Sequence, residues 1–379
     1  MIVVMLHHQL LKKIVGIRSW APYEKDLAFF CSKFLSNLGF KTELFEWDKD
    51  RFNVVSTIGK PPYILLSAHL DTVPPFNFSS NPLKLKKEGN FYKGLGVYDM
   101  KAGLAIILNT AKYFKQKNFG LKIVLTSDEE IDSAGTWAAK NANEYKDCAI
   151  ALVPEIIDSC TSIKEEKTHS PLPVLIGRRG RGVYICKINT LARHGAEGGD
   201  SSSIDLAMKI NFILKELNYP AYKKFKNFPK PSCFIRFISS TSKALELPTE
   251  CTLEIDAHFG PNFNHKSFLG FLKKNILKKL KLKKKSEKID FFLKPRKMPY
   301  LCPYLTDLKN PLVKRAIFLI GQKIDYGLTV ADENIIALEN IPVISWAPRG
   351  GNAHNKDEWL SITDFDRVAK KYIYVLNSL

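Results

Sequence analysis

The chain has 379 residues, 45% hydrophobic and 25% charged, which argues against intrinsic disorder and gives length for two domains or one large one. Lys and Arg number 57 against 38 Asp and Glu, a formal net charge of +19, so anionic substrates and acidic partners gain from long-range steering. The seven cysteines are odd in number, widely spread and form no C-x-x-C pair, which argues against a disulfide framework or a thiolate zinc site and makes a reducing cytoplasm the expected location.

Met1 to Leu6 is apolar, but His7, His8, Lys12 and Lys13 follow, so the pattern of a signal peptide is missing. No stretch reaches the roughly 18 apolar residues of a membrane span, and a soluble protein is expected. Apolar residues at three- and four-residue steps from Leu10 to Leu38, broken by Pro22, predict two helices. After Gly39 come the strand runs KTELFEW, NVVSTIG and YILLSAHLD, the last nearly continuous in apolar residues, as for a strand covered on both faces. A helix from Ala102 to Phe114, the strand LKIVLTS, a helix around Thr136 to Ala142 and the strand AIALVPE continue an alternation that predicts an α/β domain.

From Gly177 to about Lys288 the order changes to strand GVYICKINT, helix Ile204 to Leu217, strand SCFIRFIS, strand CTLEIDAHF and helix Phe268 to Leu282. That order predicts a separate α+β domain inserted in the first. The α/β pattern returns with a helix at Pro311 to Ile320, the loop GLTVADEN, the strand PVISWAP and a helix from Ile362 to Leu376. The expected division is a catalytic domain of residues 1–176 and 292–379 around an insert of residues 177–291.

Five segments carry chemistry. His69-Leu70-Asp71 ends a strand, where alternation puts His69 and Asp71 on one side; one can bind a metal while the other orients it, although alone the triplet reads first as a structural pair. In GLGVYDMKAG, Asp99 stands at a loop-to-helix junction and by itself reads as an N-cap. Asp128, Glu129 and Glu130 repel one another at a strand end; a cation relieves this, and the two glutamates can divide the work of general base and metal ligand, while a solvated turn explains them equally. Glu155 ends another apolar strand, and His354 lies in a glycine-rich loop. Together, four strand ends and one pre-helix turn present two histidines and several carboxylates without cysteine, a set suited to a zinc pair or a similar divalent pair.

In this order, SAHLDTVPP, GLGVYDMKAG, TSDEE, VPE, GRRGRG with RHGAEGG, LTVADEN and HNKDEW resemble the zinc-dependent amidohydrolases that include succinyl-diaminopimelate desuccinylase, acetylornithine deacetylase, the aminoacylases and the glutamate carboxypeptidases. The resemblance implies a zinc-peptidase-like catalytic domain with a mainly parallel sheet, and an inserted ferredoxin-like lid and dimerisation domain. It implies two divalent ions, zinc first, with cobalt or manganese as alternatives. Asp99 would bridge them, with His69 and Glu155 completing one site and Glu130 and His354 the other; Asp71 would stand behind His69, and Glu129 would be the general base. His194 would stabilise the oxyanion in the partner subunit of a homodimer, although GGDSSSIDLA departs from the family's usual continuation. Arg178 and Arg179 would hold a substrate carboxylate, whereas His258 stands where many members carry an arginine, which leaves the substrate class open.

The run from Lys273 to Lys288 has nine lysines against one acid, with Leu272, Ile276 and Leu280 at four-residue spacing; it reads as a solvated helix face, with docking of an acidic carrier protein as the alternative. The expected reaction is cleavage of the amide of an N-acyl amino acid in amino-acid biosynthesis. Alternatives are a dipeptidase or carboxypeptidase, and release of lysine or ornithine from an acidic amino-group carrier protein. A catalytically inert basic binding protein is the rival from another class, and nucleic acid is not expected because no aromatic-interleaved basic motif occurs.

Overall fold

The computed structural model describes residues 6–76, 78, 81–115, 118–156, 172–197, 202–220, 227–280 and 287–379. Two compact units result, one of Met1–Gly177, Leu305–Gly327 and Ala331–Leu379, the other of Arg178–Tyr304 and Leu328–Val330.

The first unit is built on a mixed sheet whose centre is parallel. Tyr63–His69 pairs in parallel with Gly120–Thr126 on one side and Cys148–Val153 on the other, and Val343–Ser345 continues the parallel set. These runs are mostly apolar, interrupted by Ser67 and Lys122, because they are buried along nearly their whole length. The hairpin of Lys41–Asp48 and Arg51–Ile58 adds antiparallel to Gly120–Thr126, and Val174–Arg178 joins antiparallel beyond Val343–Ser345. Parallel strands share a carboxyl edge, so His69, the turn after Thr126 and Glu155 after Val153 come out on the same edge of the sheet.

The helices follow their sequence signals. Leu6–Val15 buries Leu10, Leu11, Ile14 and Val15. Pro311–Ile320 starts on Asn310, whose side chain accepts from the N–H groups of Leu312 and Val313, and ends on Gly321 at φ +72°. Lys101–Lys112 is buried at every residue but the last. Its Gly103 permits a close approach, since a Cβ there would lie 2.4 Å from the Pro154 carbonyl oxygen.

In the second unit the strands run Ser232–Thr241, Glu250–Phe259, Gly180–Asn189 and Lys288–Leu293 across one antiparallel sheet. With the helices Ser203–Lys215 and His265–Leu280 the chain order is strand, helix, strand, strand, helix, strand, that of ferredoxin-like folds. Leu206, Ile210, Leu253, Phe268, Leu272 and Ile276 lie in its core. The strand Lys288–Leu293, the short strand Val174–Arg178 and a small sheet of two- and three-residue strands add to the elements expected from sequence; most are too short to show a period.

Among the described residues the cysteines are free, and no helix is long and apolar enough to cross a membrane. Cys160, residues 198–201 of the GGDSSSIDLA segment and residues 281–286 of the lysine run lie outside the described residues.

Candidate metal centre and active site

Seven of the residues singled out in the sequence meet in the first unit. His69 Nε2 lies 3.1 Å from Asp99 Oδ1, and His354 Nε2 lies 3.1 Å from Asp99 Oδ2, so the two imidazoles face opposite oxygens of one buried carboxylate. Glu155 Oε2 is 3.6 Å from His69 Nε2, and Glu130 Oε2 is 2.9 Å from His354 Nε2. Around Asp99 there are thus two equivalent half-sites, each with one histidine and one glutamate.

Asp71 organises this arrangement from behind. Its backbone carbonyl oxygen is 3.0 Å from His69 Nδ1 and its carboxylate 3.7 Å from the same nitrogen, which leaves Nε2 for the centre. The same carboxylate accepts the backbone N–H groups of Glu129 (3.1 Å) and Glu130 (3.0 Å), fixing both acids with one side chain. Asp128, at φ +77°, locks the turn: its carbonyl accepts from the N–H groups of Asp132 and Ser133, and its carboxylate takes Arg51 Nη1 at 2.6 Å.

Buried carboxylates crowded together demand positive charge. Burial lifts the Glu129 carboxyl well above the usual range, and burial with the Asp99 charge lifts Glu130 to about 7. Hydrogen bonds to Asp99 and Glu130 raise His354 to about 10; burial opposes charge on His69, yet Asp99, Glu155 and Asp71 hold its pKa well above the usual value. Glu130 Oε1 is buried with no hydrogen-bond partner. The facing pairs, the orphaned oxygen and a donor set of imidazole and carboxylate fit divalent cations, and ligand atoms of His69, Asp99 and Glu130 already lie within 4.8 Å of one another.

The sequence model of peptidase family M20/M25/M40 matches residues 65–378. The chain belongs to this family. M20 membership makes it a hydrolase of amide or peptide bonds. Acetylornithine deacetylase of Pasteurella multocida is 28% identical over 252 residues, 63% of this chain and 62% of that relative, so the match spans under two thirds of its length. Succinyl-diaminopimelate desuccinylase of Pelagibacter ubique is 26% identical over 97% of both chains. The fold is shared with a tripeptidase of Staphylococcus aureus, with TM-score 0.77, 16% identity and coverage of 98% of this chain and 97% of that one.

The remaining four candidates belong to the second unit. His194 is exposed, and its Nδ1 accepts the N–H of Ala196 at 3.1 Å. Arg178 is buried with Nη1 3.3 Å from Thr329 Oγ1. Arg179 donates to the carbonyls of Leu328 (2.7 Å) and Lys230 (3.1 Å) and to Ser232 Oγ (3.0 Å). His258 Nδ1 is 3.9 Å from Asp256 Oδ1.

Sequence reasoning passed over two acids of this M20 site. Glu358 is buried and accepts the N–H groups of Gly96 (2.7 Å), Tyr98 (2.8 Å) and Asp99 (2.9 Å), so it shapes the turn that presents Asp99. Burial pushes its carboxyl up to about 8. Asp332 accepts from Thr126 Oγ1 (2.9 Å) and Thr136 Oγ1 (2.5 Å) at the end of the strand that leads to Glu129. Both stand in the quoted strings HNKDEW and LTVADEN, so the signal was present but carried no role.

Proposed function

We propose that the chain is a dinuclear metallohydrolase that removes the acyl group from an N-acyl amino acid. The observation that carries this reading is the placing of two imidazoles on opposite oxygens of Asp99, each half-site completed by a glutamate. Asp99 would bridge, His69 and Glu155 would hold one ion, and Glu130 and His354 the other, with zinc the first choice for this donor set. Bound there, such ions supply Lewis-acid activation of water and of the scissile carbonyl.

The chain's own residues do the rest. Glu129 accepts a proton from the attacking water and passes it to the leaving amine, a role suited to a carboxyl raised by burial. Asp71 keeps Glu129 and Glu130 in register through their N–H groups and keeps His69 in the orientation that leaves Nε2 free. On the motif resemblance, Arg178, Arg179 and His258 of the second unit serve the substrate's carboxylate side and His194 serves the oxyanion. The second unit would act as lid and homodimer contact, a reading supported by its edge strand Ser232–Thr241, where Phe234, Phe237 and Ile238 are each about half exposed.

The names of the two curated relatives favour an acyl group over a second amino acid. Zinc-loaded protein is expected to hydrolyse N-acetylornithine or N-succinyl-diaminopimelate faster than a pair of dipeptides. Turnover of the dipeptides alone would reassign the chain to peptide cleavage; two bound metals with no turnover of any of the four would point to a larger substrate such as a carrier protein. Folded protein that takes up no metal would sink the dinuclear reading.

A further inference from the structure

Apart from the Asp99 centre, a second group of metal-ligand type is assembled from an early and a late helix of the sequence. His7 and His8 lie on the helix Leu6–Val15, Asp366 on the helix Ile362–Leu376. His7 Nε2 is 2.7 Å and His8 Nε2 2.6 Å from the same oxygen, Asp366 Oδ1, across 359 and 358 residues of sequence. We propose that His7, His8 and Asp366 form a separate site for one borderline transition-metal ion, Zn²⁺ first, which clamps the N-terminal helix to the C-terminal helix.

Neighbouring helical residues diverge by about 100°, so two consecutive side chains reach one atom only when something orients both rings. Phe365 does so, standing edge-on to His7 (centroids 4.9 Å apart, 72°) and to His8 (5.4 Å, 87°). The ligand atoms of the three residues lie within 4.8 Å of one another. Tetrahedral bonds of about 2.0 Å require donor atoms about 3.3 Å apart, about 0.6–0.7 Å more than the 2.7 and 2.6 Å of the hydrogen-bonded state and within reach of side-chain torsions.

Tyr92 Oη lies 3.0 Å from His8 Nδ1, so with Nε2 on a metal the Nδ1–H has its acceptor, the arrangement ligating histidines generally show. Two imidazole nitrogens and one carboxylate oxygen select zinc, nickel or copper over calcium or magnesium and leave a coordination position for water. Entry is open, because the Asp366 side chain is 28% exposed.

The test uses full-length, chelator-stripped protein titrated with zinc chloride alone. In a His69→Ala, His354→Ala background, which removes the candidate active-site histidines, one zinc per chain and a melting temperature raised by a few degrees are expected, both lost on adding Asp366→Asn. A second measurement avoids any folding defect of that background: His8→Gln in the otherwise native chain is expected to hold one zinc fewer than wild type with hydrolysis unchanged. Equal zinc contents with and without Asp366→Asn, or in wild type and His8→Gln, would show a hydrogen-bonded cluster only and overturn the proposal.

Discussion

Asp99 can face two imidazoles because its backbone is held from the other side. Glu358 accepts the N–H groups of Gly96, Tyr98 and Asp99 there, and removing that acceptor leaves buried donors unsatisfied at about 1–3 kcal/mol each. Glu358→Ala is therefore expected to lower the melting temperature and to weaken metal binding by about 10–100-fold, read by competition with a chromophoric chelator. An unchanged metal affinity would show that the turn holds without it. Glu129 makes the opposite prediction: Glu129→Gln keeps the side chain's shape and the N–H bond to Asp71, so bound metal should be unchanged while kcat falls by about 10²–10⁴-fold. The candidate ligands were legible because each stands at the end of an apolar run or at a glycine turn. Glu358 was not, because it sits beside the exposed Asn355, Lys356 and Asp357 and its partners lie some 260 residues earlier.

Among the elements, the buried helix Lys101–Lys112 has the least room to change. Gly103→Ala adds helix propensity worth up to about 1 kcal/mol. Its Cβ would also meet the Pro154 carbonyl oxygen at 2.4 Å, and the backbone on both sides must then shift, an overpacking cost of about 1–3 kcal/mol. The clash wins, so the variant should melt lower than wild type, and because Pro154 precedes Glu155 it should also bind metal more weakly. A gain in melting temperature would mean that the strand end yields easily. Periodicity revealed this helix and the long strands, since burial on one or both faces leaves a regular apolar pattern. It did not reveal Val174–Arg178 or the two- and three-residue strands, whose pairing depends on neighbours brought in from elsewhere.

For the whole molecule, the exposed edge of the second unit carries the prediction. Phe237, half exposed on Ser232–Thr241, offers apolar surface beside unpaired backbone groups. Sedimentation velocity is expected to show a dimer, converted to a monomer by Phe237→Asp with zinc content intact, and hydrolysis should fall with it where His194 acts across subunits. A wild-type monomer at micromolar concentration would remove the homodimer from the reading.

By itself the sequence determined the alternation of strands and helices, the inserted α+β segment and which residues are candidates for the centre, because local periodicity and residue type are written along the chain. Only the tertiary structure decided which oxygen of Asp99 each histidine faces, that one carboxylate of Asp71 fixes both glutamates, and that Glu358 supports the turn. It alone joined His7 and His8 to Asp366. The reason is physical: hydrogen bonds and charge pairs act within a few ångströms, and these partners come within that range only after the sheet and its covering helices have closed.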